Sequence, residues 1–222
     1  WFGASVLPKI AVLPNPVSRL CEEASPKPNR EATILGVGRL TAIKRWDLLI
    51  EAFALIADDL PDWKLRIFGA GPEDGPLQAR ITALGLNSRI KILPPTDRIG
   101  EEYDRAGMLV HPSEFEGFGL SVAEAMAHGL PAIAFSDCPG VNKLVQDKIS
   151  GFLVNRTQDA QAAARNLADA IAGLAHSSDY RTDMGAAASE ITQRFNRGEI
   201  HDKWVKLLRD AVAAQPDLSE SA

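Results

Sequence analysis

Residues 108–127 read MLVHPSEFEGFGLSVAEAMA, a buried run, a loop and a helical pattern in direct succession. The apolar run Met108–His111 predicts a strand, and the spacing after it predicts a helix around residues 120–128. Between them, Gly117 and Gly119 allow the backbone to approach a ligand closely. A strand, a loop and a helix in this order are typical of one βα unit of a parallel sheet.

The same alternation continues on both sides of this unit. Strands that alternate with helices of this length predict an α/β fold, a doubly wound, Rossmann-like parallel sheet with helices on both faces. Ligands bind such sheets at the carboxyl ends of the strands, so site residues should lie in the loops that follow strands. Further strands are predicted at residues 9–13, 34–38, 64–69, 89–93, 131–135 and 152–154, and further helices near 46–56, 76–84, 99–106, 141–146, 158–175, 179–195 and 198–213.

Composition excludes several classes of protein. The 222 residues include 24 Lys and Arg against 29 Asp and Glu, a net charge of −5, which disfavours a nucleic-acid partner. No apolar run approaches the roughly 18 residues of a membrane span. Cys21 and Cys138 form neither a disulfide framework nor a metal-binding spacing. We therefore expect a reducing, cytoplasmic location, with a peripheral position at the inner face of the cell membrane as an option, and no bound metal.

Two glutamates follow the strand at residues 108–111. Glu116 lies in the loop and Glu124 lies eight positions on, within the first turns of the helix. A carboxylate there can accept two hydroxyl hydrogen bonds, the pattern that vicinal diols of a ribose or hexose offer. The free amides of the helix start favour an anion such as phosphate. Taken singly, Glu116 is better explained as a loop charge and Glu124 as a charge that complements the helix dipole.

A second cluster, residues 38–44, reads GRLTAIK and follows the strand at residues 34–38. Arg39 and Lys44 beside Gly38 could clamp a diphosphate without a metal, or form a solvated basic turn. The glycine patterns lack the third glycine of a dinucleotide fingerprint, and no loop ends in Gly-Lys-Ser/Thr. A dehydrogenase or a P-loop nucleotidase is therefore disfavoured. His111 ends a strand, and a structural role is favoured for it over a ligand role.

In combination these stretches resemble the C-terminal domain of GT-B fold glycosyltransferases, specifically the retaining enzymes of family 4. The likeness covers about residues 9–214. The matching stretches are VGRL at 37–40 with Lys44, LRIFGAGP at 65–72, YDRA at 103–106, PSEFEGFGL at 112–120, EAMAHGLP at 124–131 and GFLV at 151–154.

The resemblance implies transfer of a sugar, with retained anomeric configuration, from a nucleotide-diphosphate sugar to a sugar or lipid-linked acceptor, without a cofactor. It implies that Arg39 and Lys44 bind the diphosphate, that Glu124 holds the ribose and that Glu116 contacts the donor sugar. The loop after Leu93 would pass near the base. Backbone contacts with the donor are implied for Gly38, Gly117, Phe118, Gly119 and Leu120.

Three positions depart from the family pattern. Arg45 stands where the family often has a glycine after the lysine, and Lys148 stands where a glycine usually follows Asp147. Lys143 replaces an acidic residue found in many members. The motif core is unchanged, and the departures bear on the far wall of the sugar pocket.

The resemblance also implies an organisation for the chain. Residues 1–31 are expected to be a hinge or linker from an N-terminal domain, and 32–196 the nucleotide-sugar-binding domain. Residues 197–214 would form a helix that crosses back to the N-terminal domain, and 215–222 a disordered tail. Because the chain starts at Trp1, we interpret it as cut from a longer protein and expect it to be inactive alone.

Other readings remain open from the sequence. A GT-B nucleotide-sugar epimerase shares the fold but should lack this context for the two glutamates. A non-catalytic module could bind a nucleotide sugar or a protein partner. An unrelated doubly wound domain with accidental glutamates would bind no nucleotide.

Overall fold

The computed structural model describes residues 11–20 and 30–213. Its strands are β1 (Thr33–Val37), β2 (Lys64–Phe68), β3 (Ile90–Leu93), β4 (Met108–His111), β5 (Ala132–Phe135) and β6 (Gly151–Val154). They form one six-stranded sheet in the order β3-β2-β1-β4-β5-β6, and every pairing is parallel. This is the strand order of a doubly wound, Rossmann-like fold, and it confirms the predicted fold class.

Helices connect the strands and complete the chain. They are α1 (Trp46–Ile56), α2 (Asp74–Ala83), α3 (Ile99–Arg105), α4 (Leu120–Ala127), α5 (Ala160–Ala175), α6 (Ser178–Ser189), α7 (Ile191–Arg194) and α8 (Arg197–Ala213). Short 3-10 turns cover Ala42–Lys44 and Val141–Lys143. Within the described ranges, no helix combines the length and the apolar character needed to cross a bilayer.

Three sequence predictions differ from the structure. Residues 11–13 form no strand, because none of the described strands pairs with them, while residues 9 and 10 lie outside the described residues. The segment near 141–146 forms only a 3-10 turn. The helix expected near 179–195 is divided at Glu190, whose amide bonds to the Ala187 carbonyl three residues back and tightens the turn. The tail predicted at 215–222 lies outside the described residues.

Helix α1 connects the core to the loop after β1. Its buried face includes Trp46, Leu49 and Phe53, spaced as one side of a helix requires, and it packs against α5. The Trp46 indole Nε1 donates a hydrogen bond to the Arg39 carbonyl at 3.0 Å. Burial of one large side chain therefore fixes both the helix and the backbone of the loop.

The centre of the sheet contains a topological switch point. The chain leaves β1 towards β2 on one side and later returns to β4 on the other. Loops that diverge from two neighbouring strands leave a crevice at their carboxyl ends, which is where ligands bind in such folds. At this crevice the Glu114 amide donates to the Ile43 carbonyl at 2.9 Å, so the loops after β1 and β4 are in direct contact.

Two non-glycine residues of the described ranges have positive φ angles, Arg45 at 51° and Lys148 at 62°. Both lie in the left-handed region, which costs an L-residue other than glycine about 1–2 kcal/mol. They are the two positions at which the sequence lacks the glycine that is frequent in the family it resembles. The turn geometry explains why glycine suits both positions.

We expect Lys148→Gly to raise the free energy of unfolding by about 0.5–1 kcal/mol, because relief of the left-handed strain exceeds the greater chain entropy of glycine. For a domain of this size the melting temperature should rise by about 1–4 °C. Lys148→Ala is the matched control, since it removes the same side chain and keeps the strain. A glycine variant no more stable than the alanine variant would contradict this account.

Candidate functional site

The loops after β1 and β4 bring Lys44 and Glu116 together. The Lys44 ammonium donates to the Glu116 carboxylate, although the two residues are 72 positions apart in the sequence. Their side chains are only 12% and 16% exposed. The pair therefore lies in a partly desolvated position, where a charge needs a partner of opposite sign.

His111 makes the second contact of Glu116. It is the last residue of β4, and its Nε2 lies 2.8 Å from Glu116 Oε1. Burial lowers the pKa of His111, more than the neighbouring carboxylate raises it. Its buried Nδ1 has no hydrogen-bond partner within the described ranges, as suits a neutral ring with its proton on Nε2. The sequence favoured a structural role for this histidine, and its position at the strand end was the only signal of the contact.

Glu116 is an anion at neutral pH. Burial would raise the pKa of its carboxyl group, but hydrogen bonds from His111 and Lys44 lower it to about 2. Hydrogen bonds to the charged form stabilise that form. Glu116 thus presents a carboxylate that can only accept hydrogen bonds.

Gly140, in the loop after β5, allows the backbone at Glu116 to approach closely. It has a φ of 82°, and a Cβ atom there would lie 2.6 Å from the Glu116 carbonyl oxygen. Any other residue would be strained and would push against that backbone. The loop geometry around Glu116 therefore depends on a glycine 24 positions further along the chain.

Glu124 lies in a cavity of about 390 Å³, a volume in the range of small-molecule sites. The Tyr103 hydroxyl donates to its carboxylate at 3.4 Å. Burial raises the pKa of Glu124, and the Tyr103 hydrogen bond opposes that shift. The cavity is lined by Val37, Gly38, Arg39, Phe68, Gly69, Ala70, Pro95, Thr96, Ile99, Tyr103 and Glu124.

Arg39 lines this cavity rather than joining the Lys44–Glu116 pair. Arg39 is exposed, and its guanidinium forms no ion pair with any residue of the described ranges. The loop after β1 therefore places one cation in the cavity and the other on Glu116. A ligand that spans both could meet both.

Helix α4 begins at the same crevice without a side-chain cap. Gly119 precedes it with a φ of 91°, and among the described residues no side chain caps the helix start. Asp159 and Ser177, by contrast, cap α5 and α6. The position of an added Cβ at Gly117 is open space. Uncapped amides with the helix dipole behind them attract an anion.

The fold defines the class of protein. A crystal structure of the pneumococcal O-GlcNAc transferase GtfA in complex with UDP and GlcNAc superposes with a TM-score of 0.80 at 23% identity. The superposition covers 90% of this chain and 38% of that one. The domain therefore has the fold of the Rossmann-like C-terminal half of GT-B glycosyltransferases.

The sequence pattern described as glycosyl transferases group 1 matches residues 19–190, and the chain belongs to this family. An exopolysaccharide phosphotransferase of Streptomyces coelicolor is 32% identical over 211 residues, which cover 95% of this chain and 22% of that protein. A poly(glycerol-phosphate) alpha-glucosyltransferase of Bacillus subtilis is 25% identical over 185 residues, 83% of this chain and 27% of that protein. The chain thus spans 22% to 38% of the length of these three relatives.

The buried histidines should make the fold sensitive to mild acid. Burial lowers the pKa values of His111 and His128 in the folded chain. As the pH falls below about 6.5, these histidines therefore become protonated in the unfolded chain before they do so in the folded chain. The stability they contribute is present at neutral pH and declines through that window, by up to about 1.4 kcal/mol per pH unit for each. Denaturant unfolding between pH 7.5 and 5.5 measures it.

The exposed His201 supplies the matched control for this measurement. The His201→Asn variant should keep the full pH dependence. Replacement of both buried histidines by asparagine should flatten the dependence over the same window. A wild-type free energy of unfolding that stays constant from pH 7.5 to 5.5 would contradict the assignment of neutral buried rings.

Proposed function

We propose that this chain is the donor-binding domain of a retaining glycosyltransferase, which transfers a sugar from a nucleotide-diphosphate sugar to a sugar or lipid-linked acceptor. The observation that carries the proposal is the arrangement at the crevice. Glu116, which is ionised at neutral pH, pairs with Lys44 beside the start of α4, and Glu124 lies in an adjacent cavity. Membership of the family and the UDP bound by the GtfA neighbour support it.

The nucleoside would occupy the cavity around Glu124. Among the described residues, this half-buried carboxylate accepts one long hydrogen bond, so it can accept more, and the two hydroxyls of a ribose supply them. Pro95 and Thr96, from the loop after β3, form the wall that would lie next to the base. We assign ribose binding to Glu124 on this basis.

The diphosphate would lie between the cavity and the start of α4. Arg39 and Lys44 carry positive charge on one side, and the amides of residues 117–120 carry partial positive charge on the other. The backbone at Gly38, Gly117, Phe118, Gly119 and Leu120 would make the close contacts. Charges and dipoles that are already in place need no reorganisation when the leaving group gains charge.

Lys44 would exchange partners when a donor binds. A phosphate would compete with Glu116 for its ammonium group, because both are anions at a short distance. Glu116 would keep the hydrogen bond from His111, which favours its charged form, and could then accept hydrogen bonds from hydroxyls of the donor sugar. When Lys44 moves to the phosphate, the Glu116 carboxylate would become available to the donor sugar.

Bond cleavage would proceed by departure of the nucleoside diphosphate. The bond between the anomeric carbon and the phosphate oxygen breaks, its electron pair leaves with the phosphate, and an oxocarbenium-like sugar develops. Arg39 and Lys44 accelerate the step only as far as they bind the departing charge better than the intact donor. Attack of an acceptor hydroxyl on the same face as the departing group, with the hydroxyl proton passing to the departing phosphate oxygen, would retain the configuration.

An N-terminal domain would supply the acceptor site. We propose this from the family resemblance and from the fraction of its relatives that the chain spans. In this proposal residues 1–31 are the hinge, 32–196 the donor domain and α8 the helix that crosses back. The chain alone would bind donor without measurable transfer, in a cytoplasmic setting.

A nucleoside diphosphate should stabilise the chain against heat. Ligand at 100 times its dissociation constant adds about 2.7 kcal/mol, or about 5–11 °C in melting temperature for a domain of this size. We expect such a shift with one of UDP, GDP and ADP, lost in Glu124→Ala. Glu199→Ala, at the exposed start of α8, should keep it. No shift with any of the three nucleotides would contradict donor binding by this chain.

In the full-length protein, we expect Lys44→Ala to lower kcat by about 10²–10³, the range for loss of one donor to a developing negative charge. Steady-state kinetics with the cognate donor measures it. Lys64→Ala, at the opposite end of the sheet, removes an exposed lysine and should leave kcat unchanged. An unchanged kcat and an unchanged donor affinity in Lys44→Ala would refute the assignment.

A further inference from the structure

Two arginines converge on Glu114, two residues before Glu116. Arg45 donates from a terminal guanidinium nitrogen to Glu114 Oε1 at 2.7 Å, and Arg156 lies 3.5 Å from the same oxygen. Arg45 also bonds Asp47 through two contacts of 3.1 Å. Arg156 bonds Asp137 at 2.7 Å. These five side chains form the rim network, which links the loops after β1, β4, β5 and β6.

The rim network runs beside the Lys44–Glu116 pair. Lys44 and Arg45 are adjacent in the sequence, and their partners Glu116 and Glu114 are two apart. The same two loops are therefore joined by two neighbouring ion pairs. The hydrogen bond from the Glu114 amide to the Ile43 carbonyl joins the same two loops. A shift of one loop along the other would break all three contacts.

The backbone of Arg45 adopts a strained conformation at its position in the rim network. Its φ of 51° would suit a glycine better, and a glycine could carry no ion pair. The Arg45 and Glu114 side chains are 25% and 39% exposed, so water only partly screens their contact. The strain at Arg45 is thus tolerated beside a specific contact between the two loops that carry Lys44 and Glu116.

We propose that Arg45 and Glu114 are positioning residues, which hold Lys44 and Glu116 in register for the donor diphosphate. They touch no reacting atom and act through the loops that they join. This inference rests on the proposed function, because it assumes that Lys44 meets a phosphate. It adds two residues that the sequence analysis did not consider as part of the site.

The first test measures the dissociation constant of the cognate nucleoside diphosphate by calorimetry. Glu114→Gln keeps the shape of the side chain and removes its charge, and it should weaken binding about two- to fivefold. Glu31→Gln breaks a comparable ion pair with Arg105 ahead of β1, at the other end of the sheet, and should change nothing. Equal affinities for Glu114→Gln and Glu31→Gln would overturn the inference.

The second test separates positioning from a general loss of structure. If Glu114 acts through the Lys44 loop, Glu114→Gln should cause no further loss of affinity in a Lys44→Ala background. An additive loss would overturn the inference. If Lys44→Ala leaves nucleotide affinity unchanged and also leaves kcat of the full-length protein unchanged, the proposed role of Lys44 fails instead, so the two failures are distinguishable.

Arg45→Gly reaches the same contact from the other loop. Glycine relieves the strain at φ 51°, so we expect a melting temperature equal to or above that of the wild type. Nucleotide affinity should nevertheless fall about two- to fivefold. A merely structural arginine would move stability and affinity together, and an Arg45→Gly variant with unchanged affinity would contradict a positioning role.

Discussion

The ion pair between Lys44 and Glu116 is the contact on which the rest of the site depends. It joins the loops after β1 and β4 at the switch point of the sheet. The buried Trp46 indole fixes the first loop by donating a hydrogen bond to the Arg39 carbonyl. The second loop packs closely against Gly140, where a side chain would clash with it. The core thus brings two opposite charges together in a partly desolvated place, where each charge stabilises the other.

This contact also explains the unequal behaviour of the two glutamates. Hydrogen bonds from His111 and Lys44 keep Glu116 ionised, whereas burial raises the pKa of Glu124, whose one hydrogen-bond partner among the described residues is the Tyr103 hydroxyl. In our proposal Glu116 has to release one strong partner before it can bind a sugar, and Glu124 only gains partners. Donor binding would therefore rearrange one part of the site and fill the other.

Much of the fold, and less of the site, could be predicted from the sequence. Buried apolar runs bounded by glycine and proline define the strands, and the bounds of β4 were predicted to the residue. The strand expected to include residues 11–13 was wrong, because a strand also needs a pairing partner that local pattern does not reveal. The pairing of Lys44 with Glu116 and the ring of His111 depend on tertiary packing between distant segments. The sequence itself left open whether Lys44 clamps a diphosphate and whether Glu116 binds hydroxyls, and the family resemblance favoured these two roles.

A crystal structure of the chain with its cognate nucleoside diphosphate tests the central claim most directly. We expect the Lys44 ammonium to lie about 2.7–2.9 Å from a phosphate oxygen and to have left Glu116, with the ribose hydroxyls on Glu124. A diphosphate bound elsewhere, with Lys44 still paired to Glu116, would contradict the account.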